Sequence, residues 1–140
     1  MANLRQTILI RKDLSFPIGL LAAQIAHLHM EGTRNTINEY FEKVNNGTEL
    51  EKNLMFSTDE EMWFKSPYVF VHGVPNIEVL EFFEEEAGKT KIPVNVWKDT
   101  VYVDISDTQR KAFADVKIGI TLGPSDSDKI KAIIGDLPLL

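Results

Sequence analysis

The feature that most constrains this chain is the order in which two kinds of apolar pattern follow one another. Thr7 to Ile10 is a short, β-rich and nearly all-apolar run that Arg11, Lys12 and Asp13 cut off, which predicts a buried strand ending in a loop. Apolar residues then return at a different period. Ile18, Leu21, Ala22, Ile25 and Leu28 recur at three and four, the spacing of one helix face. Pro17 suits a first helical turn and Gly32 a C-terminal stop, so the pattern predicts a helix from Ile18 to about Met30.

The alternation continues. Thr33 reads as a cap for a second helix carrying Ile37, Tyr40, Phe41 and Val44, ended by Asn45, Asn46 and Gly47. Residues 48–66 mix acidic and large apolar residues and read as irregular with short helical pieces. Tyr68 to Val71 is a second apolar strand, and Pro75 opens a helix with Ile77, Leu80, Phe83 and Ala87 on its buried side and Gly88 as its stop. Val94 and Val96, then Val101, Val103 and Ile105, alternate as in strands, and so do Ile118, Ile120 and Leu122 after a polar, basic loop. Ser125 with Asp128 resembles a capping box for a last helix through Ile130, Ile133 and Ile134 to Gly135, followed by an apolar tail.

Strands alternating with helices predict an α/β fold with three layers, α/β/α, and right-handed crossovers that make the first strands parallel. The last two strands lack a helix between them and should pair antiparallel, giving a mixed sheet of about four strands. The 140 residues contain no repeat, linker or low-complexity stretch, so one domain is expected over residues 1–140.

Composition narrows the chemistry. Absence of Cys removes disulfides, thiolate nucleophiles and Cys-based metal sites, and it suits a reducing, cytoplasmic setting. No stretch approaches the roughly 18 apolar residues of a membrane span, so no membrane association is expected. A net charge of -6 disfavours binding of a polyanion by the whole surface, but Arg11 and Lys12, and Arg110, Lys111 and Lys117, leave room for a local basic face. Phosphate-loop, dinucleotide, zinc-protease and serine-hydrolase signatures are all missing from the sequence.

Two features remain. Leu20, Gln24, His27 and Glu31 are spaced at four, three and four, so Gln24 and His27 either address one small molecule or are ordinary polar residues of a helix surface. Trp63 and Trp97 either stack on bases or sugars or pack in core and loop. His29 and His72 show no metal-ligand spacing, and neither a metal nor a cofactor is expected.

The segment RKDLSFPIGLLAAQIAH, with Arg11, Asp13, Leu14, Gly19, Ala22, Ala23, Gln24 and His27, resembles the signature of the second type of peptidyl-tRNA hydrolase. The C-terminal GITLGPSDSDKIKAIIGDLPLL is similar to that family's last strand, Gly-Pro turn, last helix and leucine-rich end, and SPYVFVHGVPNIEVLEFF to its second strand and following helix. The resemblance implies a small α/β domain that hydrolyses the ester joining a peptide to the 3′ ribose of tRNA. No metal is implied, and a homodimer is one assembly the family allows.

It also implies that first-helix residues work with an Asp-x-x-x-Thr-Gln segment, which Asp104, Thr108 and Gln109 reproduce. Asp99 is the second candidate for the aspartate. On this reading His27 and Asp104 are catalytic with Gln24 and Thr108, while Gln109, Arg11, Lys12, Arg110 and Lys111 contact substrate. Leu20 and Tyr68 stand where the family has lysines, Ile105, Ser106 and Asp107 replace its Ala-Gly-Arg, and Ile118 stands where it has a threonine. Two readings follow: a divergent peptidyl-tRNA hydrolase, or a non-catalytic binding or regulatory protein on the same scaffold.

Overall fold

A computed structural model describes residues 3–46, 63–64 and 67–140. Its elements are β1 (Leu4–Arg11), α1 (Ile18–Asn46), β2 (Val69–Val74), α2 (Ile77–Lys89), β3 (Val94–Asp104), β4 (Arg110–Asp126) and α3 (Ser127–Ile134). The four strands form one sheet in the order β2-β1-β4-β3. β1 runs parallel to β2, and β4 runs antiparallel to both β1 and β3. This is the mixed four-stranded sheet that the apolar pattern predicts. β1 has a partner on each side and is buried from Arg5 to Ile10; Ile8 to Ile10 supply the apolar run of a central strand, and the polar Arg5, Gln6 and Thr7 are buried with side-chain hydrogen-bond partners.

Alternation along β1 divides the core in two. Ile8 and Ile10 pack with Leu28 and Ile118 and with the apolar face of α1. Leu9 faces the other way and joins Leu80, Phe83 and Ala87 of α2 and Ile130 and Ile134 of α3. The layers are therefore α1, the sheet, and α2 with α3. A β-bulge adds one residue to β4 where Trp97 pairs with Gly119 and Lys98 with Lys117. Ile118 consequently faces α1, whereas Ile120 and Leu122 face α2 and α3, although all three are even positions of one strand.

Several expected boundaries move. Gly32 does not stop a helix: α1 runs through it to Asn46 as one element. The glycine is needed for approach, since a Cβ there would lie 2.5 Å from Thr121 Cγ2 and 2.8 Å from Gln6 Nε2. Thr33 is correspondingly no cap, and its hydroxyl donates within the helix to the carbonyl of His29 (2.8 Å). Gly88 lies inside α2, which is N-capped by Asn76 accepting from Val79 N (3.0 Å) and ends after Lys89. The cap of α3 is Asp126, accepting from Asp128 N and Lys129 N, rather than Ser125.

The polar loop expected before Ile118 is a continuation of the β3–β4 hairpin, whose outer residues Tyr102–Asp104 and Arg110–Asp115 are exposed. Of the irregular region expected at 48–66, only Trp63 and Phe64 fall within the described residues. Among the described residues no helix is long and apolar enough to cross a membrane.

Candidate active site

The site is assembled where α1 crosses β3. Residues of α1 that face the sheet follow the three-four spacing of Leu21, Ile25 and Leu28, and Gln24 lies on the border of that face, only 2 % exposed. On β3, Trp97, Asp99 and Val101 share the side turned to α1 by strand alternation, with Trp97 and Val101 packed against the core of that side. Gln24 Nε2 donates to Asp99 Oδ2 (3.0 Å), and Trp97 Nε1 donates to Gln24 Oε1 (2.6 Å). The backbone N–H of Thr100 donates to the other carboxylate oxygen, Asp99 Oδ1 (2.8 Å). His27, three residues beyond Gln24 and exposed, stacks on the Trp97 indole with ring centroids 4.4 Å apart and planes 14° from parallel.

This arrangement fixes several choices. An indole N–H can only donate, so the amide oxygen of Gln24 must face Trp97 and its nitrogen must face Asp99. A buried amide without these partners would carry a desolvation cost of about 1–3 kcal/mol. Asp99 is only half-buried, and a carboxylate offers about four lone-pair sites. Thr100 and Gln24 occupy two, which leaves acceptor capacity for a water or a substrate hydroxyl.

The expected constellation is thus only partly brought together. Gln24 and His27 share one site. Asp104 does not join them: it lies five residues beyond Asp99, about 16 Å along an extended strand, and pairs there with Arg110 Nε (3.0 Å). The aspartate beside Gln24 is Asp99. Thr108 and Gln109 also stay away, forming the hairpin turn in which their backbone N–H groups donate to Ser106 Oγ (3.4 and 3.1 Å). The Asp-x-x-x-Thr-Gln spacing coincides with a turn held by backbone bonds between Ile105, Ser106 and Gln109 and by the Ser106 hydroxyl.

The cations are mostly committed elsewhere. Arg11 makes a bidentate pair with Asp13 (3.0 and 2.7 Å) and donates to the carbonyl of Lys117 (3.1 Å). That guanidinium holds the Asp13 carboxyl below its usual range, chiefly through the hydrogen bonding. Lys117 bonds Glu84 (2.8 Å) and Glu81 (3.5 Å) on α2, and the bond to Glu84 raises its ammonium above the ordinary lysine value. Lys111 lies over the Phe113 ring, 4.9 Å from its centroid. Lys111 and Lys12 have no carboxylate partner among the described residues.

Where the resemblance expects lysines, Leu20 is 45 % and Tyr68 66 % exposed; Ile118, where it expects a threonine, is fully buried. Trp97 is the participant that spacing alone passes over. The cue available was its parity with Asp99, two residues on in the same strand.

No three His, Asp or Glu side chains converge as a metal site among the described residues. None of the curated proteins matches the chain. The family model for peptidyl-tRNA hydrolase PTH2 matches residues 4–140, from the start of β1 to the end of the tail. That span takes in the α1–β3 crossing together with every strand of the sheet, and the chain belongs to the peptidyl-tRNA hydrolase PTH2 family.

Proposed function

We propose that the chain hydrolyses the ester between a peptide and the 3′ ribose of tRNA at the crossing of α1 and β3, with Asp99 and His27 as the groups that act on water. The observation that carries this reading is the Gln24–Asp99 hydrogen bond (3.0 Å). It supplies a half-buried, fixed carboxylate beside the first-helix residues that the family resemblance singles out. Asp99 accepts from the attacking water and aligns it. His27, whose neutral imidazole carries one nitrogen able to accept a proton, takes the water's proton as the oxygen adds to the ester carbonyl carbon. When the tetrahedral intermediate collapses, the acyl carbon–oxygen bond breaks, the imidazolium returns the proton to the departing ribose oxygen, and the peptide leaves as a carboxylic acid that loses its remaining proton to solvent to become the carboxylate.

Gln24 is a support in this scheme, because its amide is engaged on both sides. Phosphate contact falls to Lys12 and Lys111, with Arg110 joining by opening its exposed pair with Asp104, a type of pair worth about 0–1 kcal/mol. A missing oxyanion donor typically costs about 10²- to 10³-fold in rate, so the leucine at position 20 makes this a slow hydrolase. The same Leu20 favours the second reading, a non-catalytic binding or regulatory protein on the same scaffold.

Purified protein incubated with tRNA carrying a labelled peptide distinguishes the two. Release of free peptide above buffer, lowered about 10²-fold or more by Asp99→Asn, is expected. Folded protein that binds the substrate and releases nothing at high concentration selects the binding reading.

A further inference from the structure

Trp97 stands at the centre of the site without being a group that ester hydrolysis needs. Its Nε1–H bonds Gln24 Oε1 at 2.6 Å. Turning the Gln24 amide over would set Nε2 against the indole N–H and Oε1 against the Asp99 carboxylate, losing two hydrogen bonds in a position only 2 % exposed. The indole therefore decides which end of Gln24 reaches Asp99.

The ring face of Trp97 does a separate task. His27 lies on the exposed side of α1 and has no hydrogen-bond partner among the described residues. The parallel indole, 4.4 Å from the imidazole centroid, is the contact that restrains its ring. Offset aromatic stacks of this kind carry an orientation preference beyond simple burial.

We propose that Trp97 is a positioning residue of this site, setting the Gln24 amide through its indole N–H and the His27 ring through its face. The consequence for rate rests on the hydrolase reading, whereas the placement of the two side chains does not. Trp97 is also packed against the core on the α1 side, so a loss of activity alone would not separate positioning from folding.

The two contacts can be removed in turn. Trp97→Phe keeps a ring face for His27 and deletes the N–H donor; Trp97→Leu deletes both. Nuclear magnetic resonance of the His27 ring and the Gln24 side-chain amide, thermal melting, and kcat and KM on labelled peptidyl-tRNA are measured on all three proteins. In Trp97→Phe the Gln24 amide signals should move while the His27 ring keeps its stacking shift. In Trp97→Leu both should move.

With rates normalised to folded protein, kcat should fall about tenfold in the first variant and about a hundredfold in the second, with KM within about twofold, because misplacing a reacting group by about 1 Å has an effect of that order. The proposal is overturned if the His27 ring of folded Trp97→Leu keeps the nuclear Overhauser contacts to α1 and β3 that it makes in wild type, or if both variants keep wild-type kcat. Should wild type itself release no peptide, the Gln24 amide shifts and the nuclear Overhauser contacts of the His27 ring still decide the placement. In that case the hydrolase reading fails by itself.

Discussion

At the scale of single residues, a glutamine stays buried in a core only if both ends of its amide are satisfied, and Gln24 meets that condition through Trp97 and Asp99. The helical spacing of Gln24 and His27 was enough to place them together, because residues three apart share a helix face whatever the rest of the fold does. The choice between Asp99 and Asp104 was not readable in this way. Both end apolar stretches of β3, and only the point where α1 crosses the strand decides between them. Asp99→Asn should therefore lower peptidyl-tRNA hydrolysis by about 10²-fold or more, the effect of losing one catalytic acid–base group. Asp104→Asn should leave kcat/KM within about twofold, since it removes only an exposed ion pair with Arg110. Leu20 gives a second test. With 45 % of its surface exposed, a lysine there keeps its ammonium in water, so Leu20→Lys should melt within the range of a neutral surface change, about 0.5 kcal/mol of wild type. One turn before Gln24, the added cation should raise hydrolysis about tenfold or more, equivalent to about 1.4 kcal/mol of transition-state stabilisation.

Among the elements, α1 departs most from its sequence pattern. Glycine inside a helix costs about 1 kcal/mol relative to alanine, which is why Gly32 reads as a stop. In the fold that cost is outweighed by how closely the helix approaches β4: Thr121 Oγ1 donates to the Leu28 carbonyl at 2.5 Å, and the space for a Cβ at position 32 is already filled by Thr121 and Gln6. Gly32→Ala should accordingly destabilise the protein by about 1–3 kcal/mol despite its better helix propensity, read as a lower midpoint in urea unfolding. A gain in stability would mean that α1 does not bear on the sheet at this residue. On the opposite face, Lys117 ties β4 to α2 through Glu84 and Glu81. Its ammonium titrates above the ordinary lysine value in the folded state, mainly because of the hydrogen bond to Glu84, so the charged form is the one that folding favours. The tie is fully present below the unfolded lysine pKa and is lost as pH rises through the raised folded value. Lys117→Met should cost about 0.5–1 kcal/mol at neutral pH, the range of a partly screened pair. Melting curves of variant and wild type should converge as the lysine titrates at alkaline pH.

For the whole molecule, the sheet divides into a more buried part that carries the Gln24–Asp99 and Trp97–Gln24 contacts and an exposed outer hairpin. Trp97 and Asp99 lie on the buried side of that division, while residues from Tyr102 to Asp115 are exposed. Replacing Val103–Lys111 by Asn-Gly would close the Tyr102↔Ala112 pair with a turn suited to a two-residue hairpin. The shortened protein should melt close to wild type and keep kcat, while KM for peptidyl-tRNA rises if Lys111 and Arg110 hold phosphate. A loss of kcat would return Asp104, Thr108 and Gln109 to the chemistry. The presence of strands and helices, their order and the mixed sheet were legible in the sequence, because periods of two and 3.6 are local properties that any packing must respect. The continuity of α1 through Gly32, the bulge that turns Ile118 to one face and Ile120 to the other, and the aspartate that meets Gln24 depended on the tertiary structure. Each is decided by where one element crosses another, and that distance is recorded in no single stretch of chain.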